Sequence, residues 1–163
     1  MVFIDMDGVV SDFDKHIEGV YGKSMDVMTN KEKDYFWDAE CVAHRFFANS
    51  PPIQEGIDLV KTLERAGISL CILTSTGGQL QHVDIAKQKL DFLQRYELGH
   101  LPVTFATGTK SKASFSNPGT ILVDDREKVV AAFRENGGHS YLFKREYWKD
   151  IFNSIVQNSL NLT

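Results

Sequence analysis

The chain has 163 residues, 42% of them apolar and 25% charged, and 18 basic against 22 acidic side chains give a net charge of −4. That is enough chain for one domain with a proper core, and the balance is too acidic for a general nucleic-acid binder. No apolar stretch approaches membrane-spanning length, and two widely separated cysteines, Cys41 and Cys71, suit a reduced cytoplasmic protein rather than a disulfide framework.

In chain order, the opening MVFIDMDGVVSDF sets the apolar run Val2-Phe3-Ile4 ahead of Asp5-Met6-Asp7-Gly8. The two acids rule out a signal peptide, and their i, i+2 spacing aims both to one side of an extended strand. Residues 12–50 are charged and rich in aromatics (Phe13, Tyr21, Tyr35, Phe36, Trp37, Phe46, Phe47) and close on Ser50-Pro51-Pro52, a strong break. They read as a small helical insertion lying over the strand ends. The competing reading is a helical hairpin packed on the sheet, with the aromatics as core.

Residues 55–66 carry Ile57, Val60 and Leu63 at helical spacing and stop at Gly67. A nearly continuous apolar strand comes next, over 68–73. A second helix is expected over roughly 79–96, with Val83, Ala86, Leu90 and Leu93 on its buried face. Val103 to Ala106 is a weaker strand. Ile121-Leu122-Val123 is a third clear apolar run, succeeded by a helix from 126 to 136 that stops at Gly137-Gly138. A last strand falls at 141–143, and a terminal amphipathic helix over 147–158 packs on the sheet.

Buried runs alternating with helices predict an α/β fold, a Rossmann-like three-layer core with a parallel sheet. Residues 1–11 and 51–163 form that core, and 12–50 form a small helical cap inserted after the first strand. In such folds ligands gather beyond the carboxyl ends of the strands. Each clear run ends in polar residues: Asp5 and Asp7 after the first, Thr74-Ser75-Thr76-Gly77-Gly78 after the second, Asp124-Asp125-Arg126 after the third.

A parallel sheet brings Asp5, Asp7, Asp124 and Asp125 to one edge. Crowded carboxylates raise one another's pKa, and a bound divalent cation reverses that logic. Oxygen-only donors suit a hard cation, Mg²⁺ above all, which takes a few carboxylates plus substrate phosphate. Gly8 lets the backbone turn tightly and present N–H groups to an anion. Thr74, Ser75 and the residues up to Gly78 add donors before a helix N-terminus. Lys112, with Lys110 close by, is positioned to neutralise a phosphoryl group. Lys112 is preferred for its proximity to the third run. The five histidines have no metal-ligand spacing.

Asp5-Met6-Asp7-Gly8-Val9-Val10, Ile72-Leu73-Thr74-Ser75, a lysine, and Ile121-Leu122-Val123-Asp124-Asp125 resemble the four ordered motifs of the haloacid dehalogenase (HAD) superfamily, in its phosphatase branch. The resemblance implies an aspartyl-phosphate at Asp5, with Asp7 as the acid and base. It implies that Gly8, Thr74, Ser75 and Lys112 bind the phosphoryl group. Mg²⁺ would sit on Asp5, the Asp7 carbonyl and Asp125, with Asp124 acting directly or through water. Within that superfamily the chain is similar to the 5'(3')-deoxyribonucleotidases in Asp-Met-Asp-Gly-Val, in Asp12-Phe13, in His44-Arg45-Phe46-Phe47 with Pro51-Pro52-Ile53 and Gly56, and in Thr74-Ser75. That likeness implies a nucleobase pocket walled by Phe13, Trp37 and Phe47, and a substrate-side lysine at Lys87. Lys87 also reads as a plain surface residue, and Arg126 as a phosphate contact or simply the start of a helix.

The expected activity is that of a Mg²⁺-dependent phosphomonoesterase on (deoxy)nucleoside monophosphates. One enzymatic alternative is a phosphatase for a nucleic-acid terminal phosphate or another small phosphorylated metabolite. The non-enzymatic alternative is a phospho-acceptor signalling module of the receiver type, whose acid pair comes early and whose acceptor stands alone mid-chain. The expected partner is a small phosphorylated substrate, with no membrane, no stable nucleic-acid complex, and oligomerisation left open.

Overall fold

The computed structural model describes residues 1–77 and 82–161. Five strands, β1 (Val2–Ile4), β2 (Leu70–Ser75), β3 (Val103–Ala106), β4 (Ile121–Asp124) and β5 (His139–Leu142), form one parallel sheet in the order β3-β2-β1-β4-β5. The central strand β1 sets the level of everything beyond it. Ile4 pairs with Ile72 on one side and Val123 on the other, so Asp5 and Asp124 emerge at the same height. The α/β class and three-layer arrangement are as expected from the alternation.

Helices α1 (Phe13–Tyr21), α2 (Asn30–Tyr35) and α3 (Cys41–Ala43) lie between β1 and β2, with a π-helical stretch Phe36–Glu40 joining the last two. Local chemistry starts them. Asp12 accepts from Lys15 N at the head of α1, and Thr29 and Glu32 form a reciprocal capping box on α2. The sheet is then covered by α4 (Gln54–Arg65), α5 (His82–Arg95), α6 (Glu127–Glu135) and α7 (Trp148–Asn161).

Strand alternation sends Val2 and Ile4 into the larger core with Ile57, Val60, Phe92 and Ile155, and Phe3 to the other face with Leu122 and Phe133. The helical stretch after β1 makes its own cluster: Phe13, Ile17, Phe36, Phe46 and Phe47, joined by Ile85 of α5. Phe36 is fully buried and meets Phe13, Tyr21 and Phe46 edge-on. Such a ring contributes roughly 1.5–3 kcal/mol by burial. The two connections to this stretch run side by side. Asp12 N donates to Pro51 O (2.8 Å) and Ile53 N to Val10 O (2.9 Å). Gly56 lets α4 pass close to the first of them, since a Cβ there would lie 1.8 Å from Val9 O.

One expectation fails within α5. Val83 and Leu90, assigned to its buried face, are 51% and 43% exposed, and the inward stripe is Ile85, Gln88, Lys89, Phe92 and Leu93. An apolar count favours the wrong face because a lysine occupies the middle of the right one.

Candidate active site

The carboxyl ends of the strands carry the polar chemistry. Asp5 comes directly after β1, tied in by its N–H to Val123 O at 2.9 Å, and is 5% exposed. Its Oδ1 accepts from Met6 N (2.7 Å) and its Oδ2 from Lys112 Nζ (2.6 Å). Asp124, the last residue of β4, is fully buried, and its Oδ2 accepts from the same ammonium at 2.8 Å. Its Oδ1 accepts from Arg126 N at 3.0 Å, so the start of α6 orients it. Lys112 comes from the short 3₁₀ stretch Thr109–Phe115 and is itself 2% exposed, whereas Lys110 is exposed.

Asp125 completes the group. It, Asp5 and Asp124 each offer an oxygen within 4.8 Å of the others. Gly8, at φ +80°, allows the approach: a Cβ there would lie 2.1 Å from Asp125 Oδ2. Burial, then the Asp5 and Asp124 charges, push the Asp125 carboxyl up to about 7. Burial and Asp5 raise Asp124 to about 6, against the opposing pull of Lys112. For Lys112 burial favours the neutral amine, but Asp5 and Asp124 outweigh it and hold the ammonium. Among the described residues Lys112 is salt-bridged to Asp5 and Asp124, and the third carboxylate, Asp125, crowds both. Asp125 Oδ1 is buried with no hydrogen-bond partner among the described residues. A concentrated oxygen donor set with an excess of negative charge and an unpartnered lone pair fits a hard divalent cation such as Mg²⁺.

A second ammonium lies on the β2 side. Lys89 of α5 is fully buried and reaches Asp7 Oδ2 at 2.5 Å and Thr74 Oγ1 at 2.8 Å. Its Nζ also stands 5.0 Å from the centre of the Phe47 ring. Asp7 Oδ1 is buried and has no hydrogen-bond partner among the described residues. Ser75 is half-buried, and its Oγ accepts from Gly77 N at 3.0 Å. Gly78 lies outside the described residues.

Beside Asp7 opens a cavity of about 330 Å³ with Phe13, Met25, Trp37, Phe47, Ile85 and Arg126 among its walls. Phe13 and Phe47 stack at 5.6 Å, and Trp37 stacks on Phe47 at 6.1 Å. These three aromatics therefore line the cavity and pack in the helical cluster at once. Lys87 does not join them. It is exposed, and a helical residue two positions from Lys89 points about 200° away from it. The buried lysine of α5 beside Asp7 is Lys89, which the sequence motifs do not single out. The available signal is a lone cation in the stripe Ile85, Lys89, Phe92, Tyr96.

No protein-family model and no curated protein matches the chain. Solved structures do. A HAD-superfamily hydrolase from Ehrlichia chaffeensis superposes with a TM-score of 0.55 at 13% identity, covering 96% of each chain. A HAD-family hydrolase from Deinococcus radiodurans, with bound phosphate and sodium, gives 0.56 at 11% identity, over 98% of this chain and 96% of that one. The fold is that of the HAD-superfamily hydrolases. D,D-heptose 1,7-bisphosphate phosphatase from Burkholderia thailandensis shares it at 0.53 and 12% identity, over 92% of this chain and 96% of its own. At these identities the likeness carries the HAD architecture, and the chemistry has to be argued from the side chains.

Proposed function

We propose that the chain is a Mg²⁺-dependent phosphomonoesterase that works through an aspartyl-phosphate at Asp5 and acts on nucleoside monophosphates. One observation carries the first half: Asp5, Asp124 and Asp125 bring oxygens within 4.8 Å of one another at the strand ends, with Lys112 between the first two. Asp5 is the acid held against Lys112 and the Met6 amide, donors suited to charge on a transferring group. Asp125, Asp5, the Asp7 carbonyl and Asp124 would hold the metal, which supplies Lewis-acid stabilisation of the phosphoryl oxygens.

An Asp5 carboxylate oxygen bonds phosphorus while the bond to the leaving oxygen breaks, and that oxygen departs with a proton from Asp7. A water then bonds phosphorus and gives its proton to Asp7, the bond to Asp5 breaks, and phosphate is released. The Thr74 hydroxyl accepts from Lys89, which leaves its own proton to donate to a phosphoryl oxygen.

The nucleotide half rests on the aromatic cavity beside Asp7, where Phe13, Trp37 and Phe47 offer faces to a flat base. On this reading residues 12–50 act as a cap over the site. An alternative substrate with further phosphates, such as a nucleic-acid end, would draw on Lys110, Arg126 and Lys128 around a second cavity of about 590 Å³, which Glu127, Ala113, Val129 and Ala132 also line.

A phosphate-release screen with Mg²⁺ over phosphorylated metabolites and a 5'-phosphorylated oligonucleotide tests both halves. Repeated turnover on mononucleotides and none on the oligonucleotide is expected. Asp5→Asn should lower turnover by on the order of 10⁴-fold or more, and retained activity there removes the covalent mechanism.

A further inference from the structure

We infer that Lys89 is a positioning residue for Asp7 and Thr74: its ammonium anchors one Asp7 oxygen and the Thr74 hydroxyl, so that the other Asp7 oxygen is presented to the leaving group. This rests on the phosphatase reading and adds a residue that the four motifs do not contain.

A fully buried lysine needs a reason. Desolvating an ammonium costs several kcal/mol unless its donors are satisfied. Here they are met by the two groups that the reaction would need on the β2 side, Asp7 Oδ2 at 2.5 Å and Thr74 Oγ1 at 2.8 Å. The Phe47 ring at 5.0 Å closes a further side. The two site lysines divide the work. Lys112 is committed to Asp5 and Asp124, and Lys89 to Asp7.

Hydrogen-bond direction sharpens the point. Because Nζ donates to Oδ2, the proton that Asp7 passes to the leaving oxygen has to sit on Oδ1. That is the oxygen found buried and without a partner among the described residues. Because Nζ also donates to Thr74 Oγ1, the threonine hydrogen is directed away from Lys89. The lysine thus selects the working oxygen of one residue and the donor direction of the other without itself reaching the reacting atoms. Its own seat is fixed by the neighbouring Gln88, which ties α5 to the aromatic stretch by accepting from Phe47 N and donating to Cys41 O, each at 3.0 Å.

If Lys89 acts through Asp7, its loss should hurt in proportion to how much the leaving group needs a proton. Phenyl phosphate and p-nitrophenyl phosphate are close in shape, but phenolate, with a pKa near that of tyrosine at about 10, leaves poorly unprotonated, and p-nitrophenolate leaves readily. With Mg²⁺ present, Lys89→Met should lower kcat/KM, which reports the leaving-group step ahead of the hydrolysis shared by both substrates, about 100-fold on phenyl phosphate and less than about tenfold on p-nitrophenyl phosphate. In an Asp7→Asn background the same change should add less than about twofold, because the step it serves is already gone. Should the methionine variant not fold, Lys89→Gln, whose shorter and uncharged side chain cannot serve both Asp7 Oδ2 and Thr74 Oγ1 as the ammonium does, gives the same comparison.

Equal losses of kcat/KM on both substrates, or no change at all, overturns the assignment and leaves the phosphatase reading standing. A wild-type chain that releases phosphate from neither these substrates nor mononucleotides overturns the phosphatase reading, and the positioning role falls with it.

Discussion

The strand-end site and the helical stretch over 12–50 are held together by different physics. In the site, each acid takes its place from the sheet ladder. Ile4 pairs with both Ile72 and Val123, and this brings Asp5 level with Asp124 without any help from the helices. Directional contacts of 2.6 to 2.8 Å through Lys112 then lock them. The helical stretch has no ladder. Its aromatic rings meet edge-on and stacked at 4.9 to 6.2 Å, contacts that tolerate small shifts. A few polar ties join it to the core, such as Arg45 to Asp91 at 2.7 Å and Arg145 to Asp12 at 2.6 Å. Changes in the first region should therefore alter whether the reaction occurs, and changes in the second should alter what is bound.

Among the changes that separate the two regions, the largest effect should come from a methyl group. Gly8→Ala sets a Cβ 2.1 Å from Asp125 Oδ2 at a positive φ, so the Asp125 carboxylate has to move. Displacing a ligand-orienting contact costs about 10–100-fold in metal affinity. Calorimetric Mg²⁺ titration and phosphate release should both show a loss of that size, while stability falls by only about 1 kcal/mol from the strained backbone. A large loss of stability with metal affinity intact would make Gly8 a folding residue and cut it from the site.

The charge crowd predicts an unusual pH response. Asp124 and Asp125 titrate at about 6 and about 7 in the folded chain, both raised from 3.8. The folded state therefore holds protons that the unfolded chain has released, and stability without metal falls as pH rises from 3.8 to about 7. A metal that prefers the ionised acids should reverse the trend. Thermal unfolding in EDTA should show Tm declining by several degrees across that range, and saturating Mg²⁺ should flatten or invert the slope. The same decline with and without Mg²⁺ would mean that the acids hold no cation.

The contrast between the two regions also governs how much is legible in the sequence. Buried parallel strands appear as short continuous apolar runs, so β1, β2 and β4 and the acids that end them are readable. Lys112 is separable from Lys110 only by its closeness to β4, and it is the buried one. Lys89 is not readable by an apolar count, because a buried cation looks polar until its partners Asp7 and Thr74 are brought to it by the fold. The same lysine leads the count to Val83 and Leu90, which are exposed. In 12–50 the abundance of aromatics is plain, but which rings pair depends on packing across elements that no local pattern encodes, as with Ile85 of α5 joining Phe47.

A smaller effect is expected at the cavity wall. Trp37 is half-buried and stacks on Phe47. One base–aromatic stack is worth about 1–3 kcal/mol, so Trp37→Ala should raise KM for a mononucleotide about tenfold and leave kcat within about twofold. Inhibition by inorganic phosphate, which on the proposed reading would contact the strand ends alone, should not change. Equal weakening of both ligands would mean that the tryptophan braces the site rather than facing the base.

The smallest effect tests the joint between the regions. Arg145, in the 3₁₀ turn before α7, pairs with Asp12 Oδ2 at 2.6 Å, while Asp12 Oδ1 accepts from Lys15 N at the start of α1. The arginine is 48% exposed, so the pair itself is worth about 0–1 kcal/mol. Asp12 is 8% exposed and keeps its backbone contact when the arginine goes, which limits the cost of leaving it unpaired. Arg145→Ala should therefore lower Tm by about 2–4 °C, the shift that about 1 kcal/mol produces in a domain of this size. Turnover of p-nitrophenyl phosphate should stay within about twofold, because Asp5 and Asp124 are held by β1 and β4 and not by α1. A tenfold drop with the fold intact would mean that the seating of the helical stretch reaches the carboxylates, and the separation of chemistry from selectivity would be lost.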